Sequence, residues 1–190
     1  MRLVDWITLV DGGYGATAQF QTVKTDVNDA VSSVHWPENT SQFILNPIRK
    51  GNGVKPIKTG FVELLKSRGW QPEGGRRLYD AVRTFDDGTN PFAIEWETGN
   101  IASSHRAINR MAAGMHEGLL SGGILVVPTG EMYKYLTDRI GNVTELVRYF
   151  DLWRDQFKGL GYLAIVTVEH DSLSDQVPLI AKGTDGRALI

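Results

Sequence analysis

Phe85-Asp86-Asp87-Gly88-Thr89-Asn90-Pro91-Phe92-Ala93-Ile94-Glu95-Trp96-Glu97-Thr98-Gly99-Asn100 is the stretch on which the fold turns, and Ile101-Ala102-Ser103-Ser104-His105-Arg106 continues it. Phe92 to Thr98 alternates around an aromatic and β-branched middle, the pattern of a half-buried strand. Glu95 and Glu97 therefore share one face, and Ile94 and Trp96 take the other. At about 3.3 Å rise per residue their Cα atoms lie roughly 6.6 Å apart, so both carboxylates reach one ion or its water. Gly88, Asn90 and Pro91 are turn residues, which makes Asp86 and Asp87 the end of a preceding strand that folds back beside Glu95. Three carboxylates in one place raise the pKa of at least one of them unless a cation intervenes. Mg²⁺ takes oxygen ligands and keeps several waters, so it suits one or two carboxylates plus a substrate phosphate. The competing reading makes Glu-x-Glu a solvated strand face and Asp-Asp-Gly a plain turn.

Past the strand, Asn100 to Glu117 reads as a helix with Ile101, Ile108, Met111, Ala112 and Met115 at helical spacing. Ser103, Arg106, Asn109 and Arg110 fall on its polar side. Helix N-termini favour anions, and Asn and Arg pair bidentately with adenine and guanine edges in the major groove, so this helix is a candidate DNA reader. His105 has no second histidine at ligand spacing and is assigned to the surface or to a phosphate contact.

An aspartate after an apolar residue, nine positions before the first glutamate of Ile-Glu-Trp-Glu, resembles the PD-(D/E)xK nuclease signature. Glu97 stands where most members carry lysine, and that departure, with Thr98-Gly99-Asn100 after it, is similar to the BamHI-type type II restriction endonucleases. Asn100 and Arg106, three and nine residues past Glu97, match base-reading positions of that family. Asp138-Arg139, whose Asp lies 41 residues past Glu97, resembles its outer-base pair in type and spacing. The resemblance covers residues 58 to 170.

It implies metal-dependent hydrolysis of double-stranded DNA, with one or two Mg²⁺ ions. Asp86, Glu95 and the Trp96 carbonyl are the implied metal ligands, and Glu97 takes a proton from the attacking water. Asp86 is preferred to Asp87 because it follows Phe85 and has the family spacing. Glu63, on an earlier helix, is a candidate assistant to the metal site. Asn100, Ser103, Arg106, Asp138 and Arg139 are the implied DNA-binding residues, the target GGATCC, the cut a four-base 5′ overhang. A palindromic site and one active site per chain imply a homodimer, and a restriction enzyme implies a cognate DNA methyltransferase in the same host.

Elsewhere, Gly123 to Val127 reads as a buried strand ended by Pro128 and Thr129 to Leu136 as a short helix. Asn142 to Lys158 reads as a longer helix opened by an Asn142/Glu145 capping box, its inward side Leu146, Val147, Phe150, Trp153 and Phe157. Tyr162 to Glu169 is the last strand. Upstream, Leu3 to Val10 reads as a strand, Asp11 to Gly15 as a hairpin turn, and the chain through Val23 as a second extended piece; Asp26 to Val34 looks helical. The glycines at 12, 13 and 15 lack the Lys-Ser/Thr of a phosphate loop. Pro37 to Gly53 is loop, and Thr59 caps a helix through Arg68, stopped by Gly69.

Composition adds limits. The 190 residues suffice for one domain: N-terminal elements over 1–57, a catalytic core over 58–170 and a C-terminal arm over 171–190, with Lys182 and Arg187 placed for the DNA minor groove. No run approaches the roughly 18 apolar residues of a membrane span. Cysteine is absent, which removes thiol and Cys-zinc chemistry and fits a cytoplasmic protein. The net charge of −2 is not that of a nucleic-acid binder, but residues 46 to 83 hold nine Lys or Arg against three acids. A basic lobe before a carboxylate cluster is what a phosphodiesterase needs to hold a backbone.

The expected architecture is α/β, a restriction-endonuclease-like central mixed β-sheet flanked by helices. Two other functions fit the residues: a structure-specific PD-(D/E)xK nuclease of repair or recombination, and a non-catalytic DNA-binding module.

Overall fold

The computed structural model describes residues 1–75, 78–97, 99–137 and 140–182. The chain runs β1 (Arg2–Asp11), a 3-10 turn at Tyr14–Ala16, α1 (Ala18–Ser33), β2 (Ile44–Leu45), α2 (Lys55–Ser67), β3 (Gln71–Gly74), β4 (Tyr79–Arg83) and β5 (Phe92–Trp96). It continues through α3 (Ile101–His116), β6 (Gly122–Pro128), α4 (Gly130–Tyr133), α5 (Val143–Leu146), α6 (Phe150–Gln156), β7 (Tyr162–Glu169) and β8 (Ser172–Leu173).

Six strands form one mixed sheet in the order β1-β7-β6-β5-β4-β3. β5, β6 and β7 are parallel, so the chain must cross over between them, and α3 and then α4 to α6 make those crossovers. β1, β4 and β3 add antiparallel edges. The parallel strands are covered on both sides, which is why 123–127 and 162–166 are unbroken apolar runs. On one side Phe92, Ile94, Trp96, Ile124, Val126 and Val166 pack with Phe20, Val27 and Phe61 of α1 and α2. On the other, Ala93, Leu125, Val127 and Ile165 pack with Ile108 and Met111 of α3 and Trp153 of α6. Each of the fully buried aliphatic and phenyl side chains stabilises the fold by about 1.5–3 kcal/mol. Gly123 lets α3 approach β6 closely, since a Cβ there would collide with Met111.

Four readings change. Residues 18–25 are helical, and Asp26 to Ser33 is the second half of the same α1, which Val34 ends. Thr17 caps it by accepting from the Phe20 N–H at 3.1 Å, and Val23, Val27, Ala30 and Val31 supply a buried stripe. α2 starts at Lys55, with Pro56 in its first turn, and Thr59 lies inside it returning its hydroxyl to the Lys55 carbonyl. The helix expected over 142–158 is broken by a 3-10 turn at Val147–Tyr149. Leu146, Phe150, Trp153 and Phe157 stay inward, while Val147 turns out to solvent. The tail expected as an arm is fastened at Ile180, which is buried: its N–H donates to Asn52 Oδ1, and its carbonyl accepts from the Gly53 N–H. Arg187 lies outside the described residues. Among the described residues no helix is long and apolar enough to cross a membrane.

Candidate active site

β5 is the middle of the sheet, and its side chains alternate between the two layers. Ile94 and Trp96 enter the α1/α2 layer, Trp96 lying 4.9 Å from the Phe61 ring. Ala93 enters the α3 layer, and by the alternation of a strand Glu95 points the same way. Glu97 follows beyond the strand end, its N–H donating to the Val126 carbonyl. Both glutamates are 6% exposed, so the acidic strand is an interior element and the solvated-face reading fails.

Interior carboxylates need compensation. Glu95 is ion-paired with Arg110 of α3, whose guanidinium also lies over the Tyr79 ring. Asp80, at the start of β4, is the acid the hairpin brings alongside. Register pairs Ala81 with Ile94, and Asp80 lies one step beyond, next to Glu95. Its Oδ2 accepts from the Trp96 N–H at 2.8 Å, and its Oδ1 takes Lys58 of α2 at 2.6 Å. Glu97 accepts from the Gly99 N–H. Burial pushes its carboxyl pKa up, and Asp80 adds to this, against the Gly99 amide, the Ser104 hydroxyl and Arg106, which favour the charged form.

Asp86 is not part of this group. β4 ends at Arg83, which pairs with Phe92, so Asp86 lies in the exposed turn at the far end of the hairpin from Glu95. Asp87 is also exposed there, its Oδ1 accepting from the Thr89 N–H at 2.9 Å. The signal that finds Asp80 was present in the sequence: reflecting Glu95 through the turn at Asp87-Gly88 gives position 80. Lys58 and Arg110 had no such signal, because each is supplied by a helix from a different layer. Glu63 is exposed on α2, five residues after Lys58 and about 140° around the helix from it.

Among the described residues no three His, Asp or Glu side chains already converge as a metal cage. Asp80 and Glu95 are each turned onto a cation and Glu97 onto an amide. The donor set nevertheless suits a hard dication: Glu95 and Glu97 at the end of β5 and Asp80 beside them on β4, two of the three buried, with Lys58 and Arg110 supplying positive charge.

Above the strand end α3 begins. Asn100 caps it, Oδ1 accepting from the Ser103 N–H at 3.3 Å. Arg106, exposed, donates to Ser103 Oγ at 3.2 Å, so Asn100, Ser103 and Arg106 form one polar end of the helix beside the acids. His105 instead packs edge-on to Tyr149 and Trp153, and partial burial lowers its pKa. Thr98, Asp138 and Arg139 lie outside the described residues.

A parallel sheet core with acids at the end of its central strand, under the N-terminus of a crossover helix, defines a restriction-endonuclease fold. A crystal structure of restriction endonuclease BglII complexed with a DNA 16-mer shares it, with a TM-score of 0.62 at 10% identity, over 90% of this chain and 79% of that one. The sequence narrows the class. The family model "Restriction endonuclease BamHI" matches residues 1–187. The chain is 48% identical over 183 residues to the type II restriction enzyme OkrAI of Oceanobacter kriegii, covering 92% of this chain and 93% of that protein. It is 32% identical over 181 residues to the type II restriction enzyme BamHI of Bacillus amyloliquefaciens, covering 87% and 82%. The chain belongs to the BamHI family of type II restriction endonucleases and is a site-specific deoxyribonuclease.

Proposed function

We propose that this enzyme, as one nuclease domain, hydrolyses both strands of a palindromic GGATCC site in a Mg²⁺-dependent reaction and leaves four-base 5′ overhangs. The observation that carries the chemistry is the placement of Asp80 beside Glu95 by hairpin register, with Glu97 two residues further on, the first two each held by a cation. Asp80, Glu95 and the Trp96 carbonyl are the groups that would hold the metal. A bound dication supplies charge stabilisation at the reacting phosphate and lowers the pKa of its water. Glu97 takes the proton from the attacking water, and its upward-shifted pKa brings it closer to the operating pH, where a general base is most effective. Lys58 and Arg110 balance charge at the carboxylates.

The sequence preference rests on Asn100, Ser103 and Arg106 at the start of α3, and on Asp138 and Arg139 through the family resemblance. A homodimer gives two sites for two strands. Exposed apolar Val147, in the 3-10 turn before α6, and Leu152, on α6, support it. Such an enzyme works in the cytoplasm beside a cognate methyltransferase.

The test is incubation of the protein with unmethylated plasmid of known sequence, in Mg²⁺ or EDTA, followed by sequencing of cut ends. Discrete Mg²⁺-dependent fragments with GATC overhangs support the reading. Equal cutting of AGATCT and GGATCC removes the outer-base assignment, and intact plasmid removes the metal-dependent hydrolysis.

A further inference from the structure

Ser104 lies in the first turns of α3 and is wholly buried. A helical serine in that position ordinarily returns its hydroxyl to the carbonyl four residues back. Here the carbonyl of Asn100 accepts from the Ser103 and Ser104 amides, and Ser104 Oγ has no partner of hydrogen-bonding geometry. A buried hydroxyl without a partner costs free energy. Its neighbour is the Glu97 carboxylate, whose charged form the hydroxyl favours.

Gly141 closes the same space. A Cβ there would collide with Ser104 Oγ and come within 3.5 Å of Glu97 Cγ and Ile101 Cα. Its N–H donates to the Gly99 carbonyl at 2.8 Å, which fastens the chain at Gly141 over the strand end. Glu97, Ser104 and Gly141 thus form one seat, with glycine needed for room and serine supplying a donor that the apo arrangement leaves unused.

We propose that Ser104 is a positioning residue for Glu97: from its seat beneath Gly141 its hydroxyl donates to the carboxylate and aims it at the attacking water. The inference rests on Glu97 acting as the base. It ties that base to α3, the helix whose first turn carries Asn100 and whose second carries Arg106, so engagement of the helix by DNA and alignment of the base share one rigid element.

The experiment is a double-mutant cycle of Ser104→Ala and Glu97→Gln, read as single-turnover cleavage of a GGATCC duplex by excess enzyme in Mg²⁺. Duplex affinity in EDTA and thermal melting are measured alongside. S104A is expected to cleave about 10- to 100-fold more slowly, the scale of a small misplacement of a catalytic group. Its duplex affinity is expected to be unchanged and its Tm equal or higher, since an unpartnered hydroxyl has been removed. In the Glu97→Gln background the same change is expected to add no further slowing. A wild-type rate for S104A, a lowered Tm accounting for its slowing, or equal slowing in both backgrounds overturns the proposal. If Glu97→Gln cuts too slowly to time, the split between rate and affinity in S104A decides. A Glu97→Gln enzyme that cuts normally removes Glu97 as the base, a separate failure visible before S104A is examined.

Discussion

Asp80 offers two substitutions that separate its structural work from its chemical work. Asp80→Ala removes the acceptor of the Trp96 N–H, 2.8 Å away, in a residue 5% exposed. Leaving that amide unsatisfied costs about 1–3 kcal/mol. It also frees Lys58, whose pair with Asp80 is partly exposed and is worth about 0.2–1 kcal/mol. The two together predict a loss of roughly 1–4 kcal/mol, a fall in Tm of roughly 2–16 °C for a chain of this size. Asp80→Asn keeps an oxygen for the Trp96 amide and loses only the charge, so its Tm should fall by no more than about 4 °C.

If the carboxylate is a metal ligand, the two variants should lose activity alike, by about 10²- to 10⁴-fold, the several kcal/mol that a positioned ion contributes. Asp86→Asn, in an exposed turn, should change neither quantity, its stability staying within about 0.5 kcal/mol. Thermal melts and plasmid cleavage under matched Mg²⁺ suffice. Cleavage retained by Asp80→Asn and abolished by Asp86→Asn would falsify the hairpin argument and restore the aspartate that linear spacing favoured.

Glu97→Gln should also show a pH-dependent gain in stability. The folded pKa of Glu97 lies above the unfolded one, so below the ordinary carboxylate range both states are protonated and no difference arises. As pH rises through that range the unfolded chain ionises first, and the wild type loses stability that the glutamine variant keeps. Melts should coincide near pH 4 and favour Glu97→Gln at pH 8; an advantage of the same size at both would refute the linkage. Arg110→Gln leaves the buried Glu95 charge uncompensated and should destabilise the metal-free protein by roughly 1–3 kcal/mol, less than for a fully buried pair because Arg110 is 30% exposed. Mg²⁺ should then raise its Tm by more than it raises that of the wild type, and an equal increment would show that the ion does not reach Glu95. Gly123→Ala forces Met111 away from β6 and should lower stability by about 1–3 kcal/mol, measured by urea unfolding.

The sheet was legible because its strands announce themselves locally. Gly123 to Val127 is apolar throughout, Tyr162 to Val166 is an apolar run in a strongly β-branched strand, and Pro91 and Pro128 mark strand ends. α1 was half hidden: Ala18, Phe20 and Thr22 mimic an alternating strand, and only the cap at Thr17 and the spacing of Val23, Val27 and Val31 reveal a helix. Glu95 and Glu97 were found, but their burial was not, since alternation looks the same whether one layer or two cover a strand. Asp86 was named, and Asp80 passed over, because a motif counts along the chain, whereas ligands gather by hairpin register. Ser104 and Gly141 carried no pattern, being 37 residues apart and brought together where α3 and the chain at Gly141 meet.

The two covered faces of β5 explain how such a site is tolerated. Its acids stand at the carboxyl end of a parallel strand, where the helical layers part and where ligand sites of open α/β sheets form. Lys58 comes from the α1/α2 layer and Arg110 from the α3 layer, so each layer contributes one cation. Three carboxylates against two cations leave the fully ionised cluster one charge negative. The raised pKa of Glu97 reduces that excess in the metal-free protein, and a dication reverses its sign. With a dication bound as proposed, a phosphodiester arriving beside Asn100 and Arg106 would be attracted to acids that, bare, are set against it, so metal and DNA would favour each other's binding at this strand end.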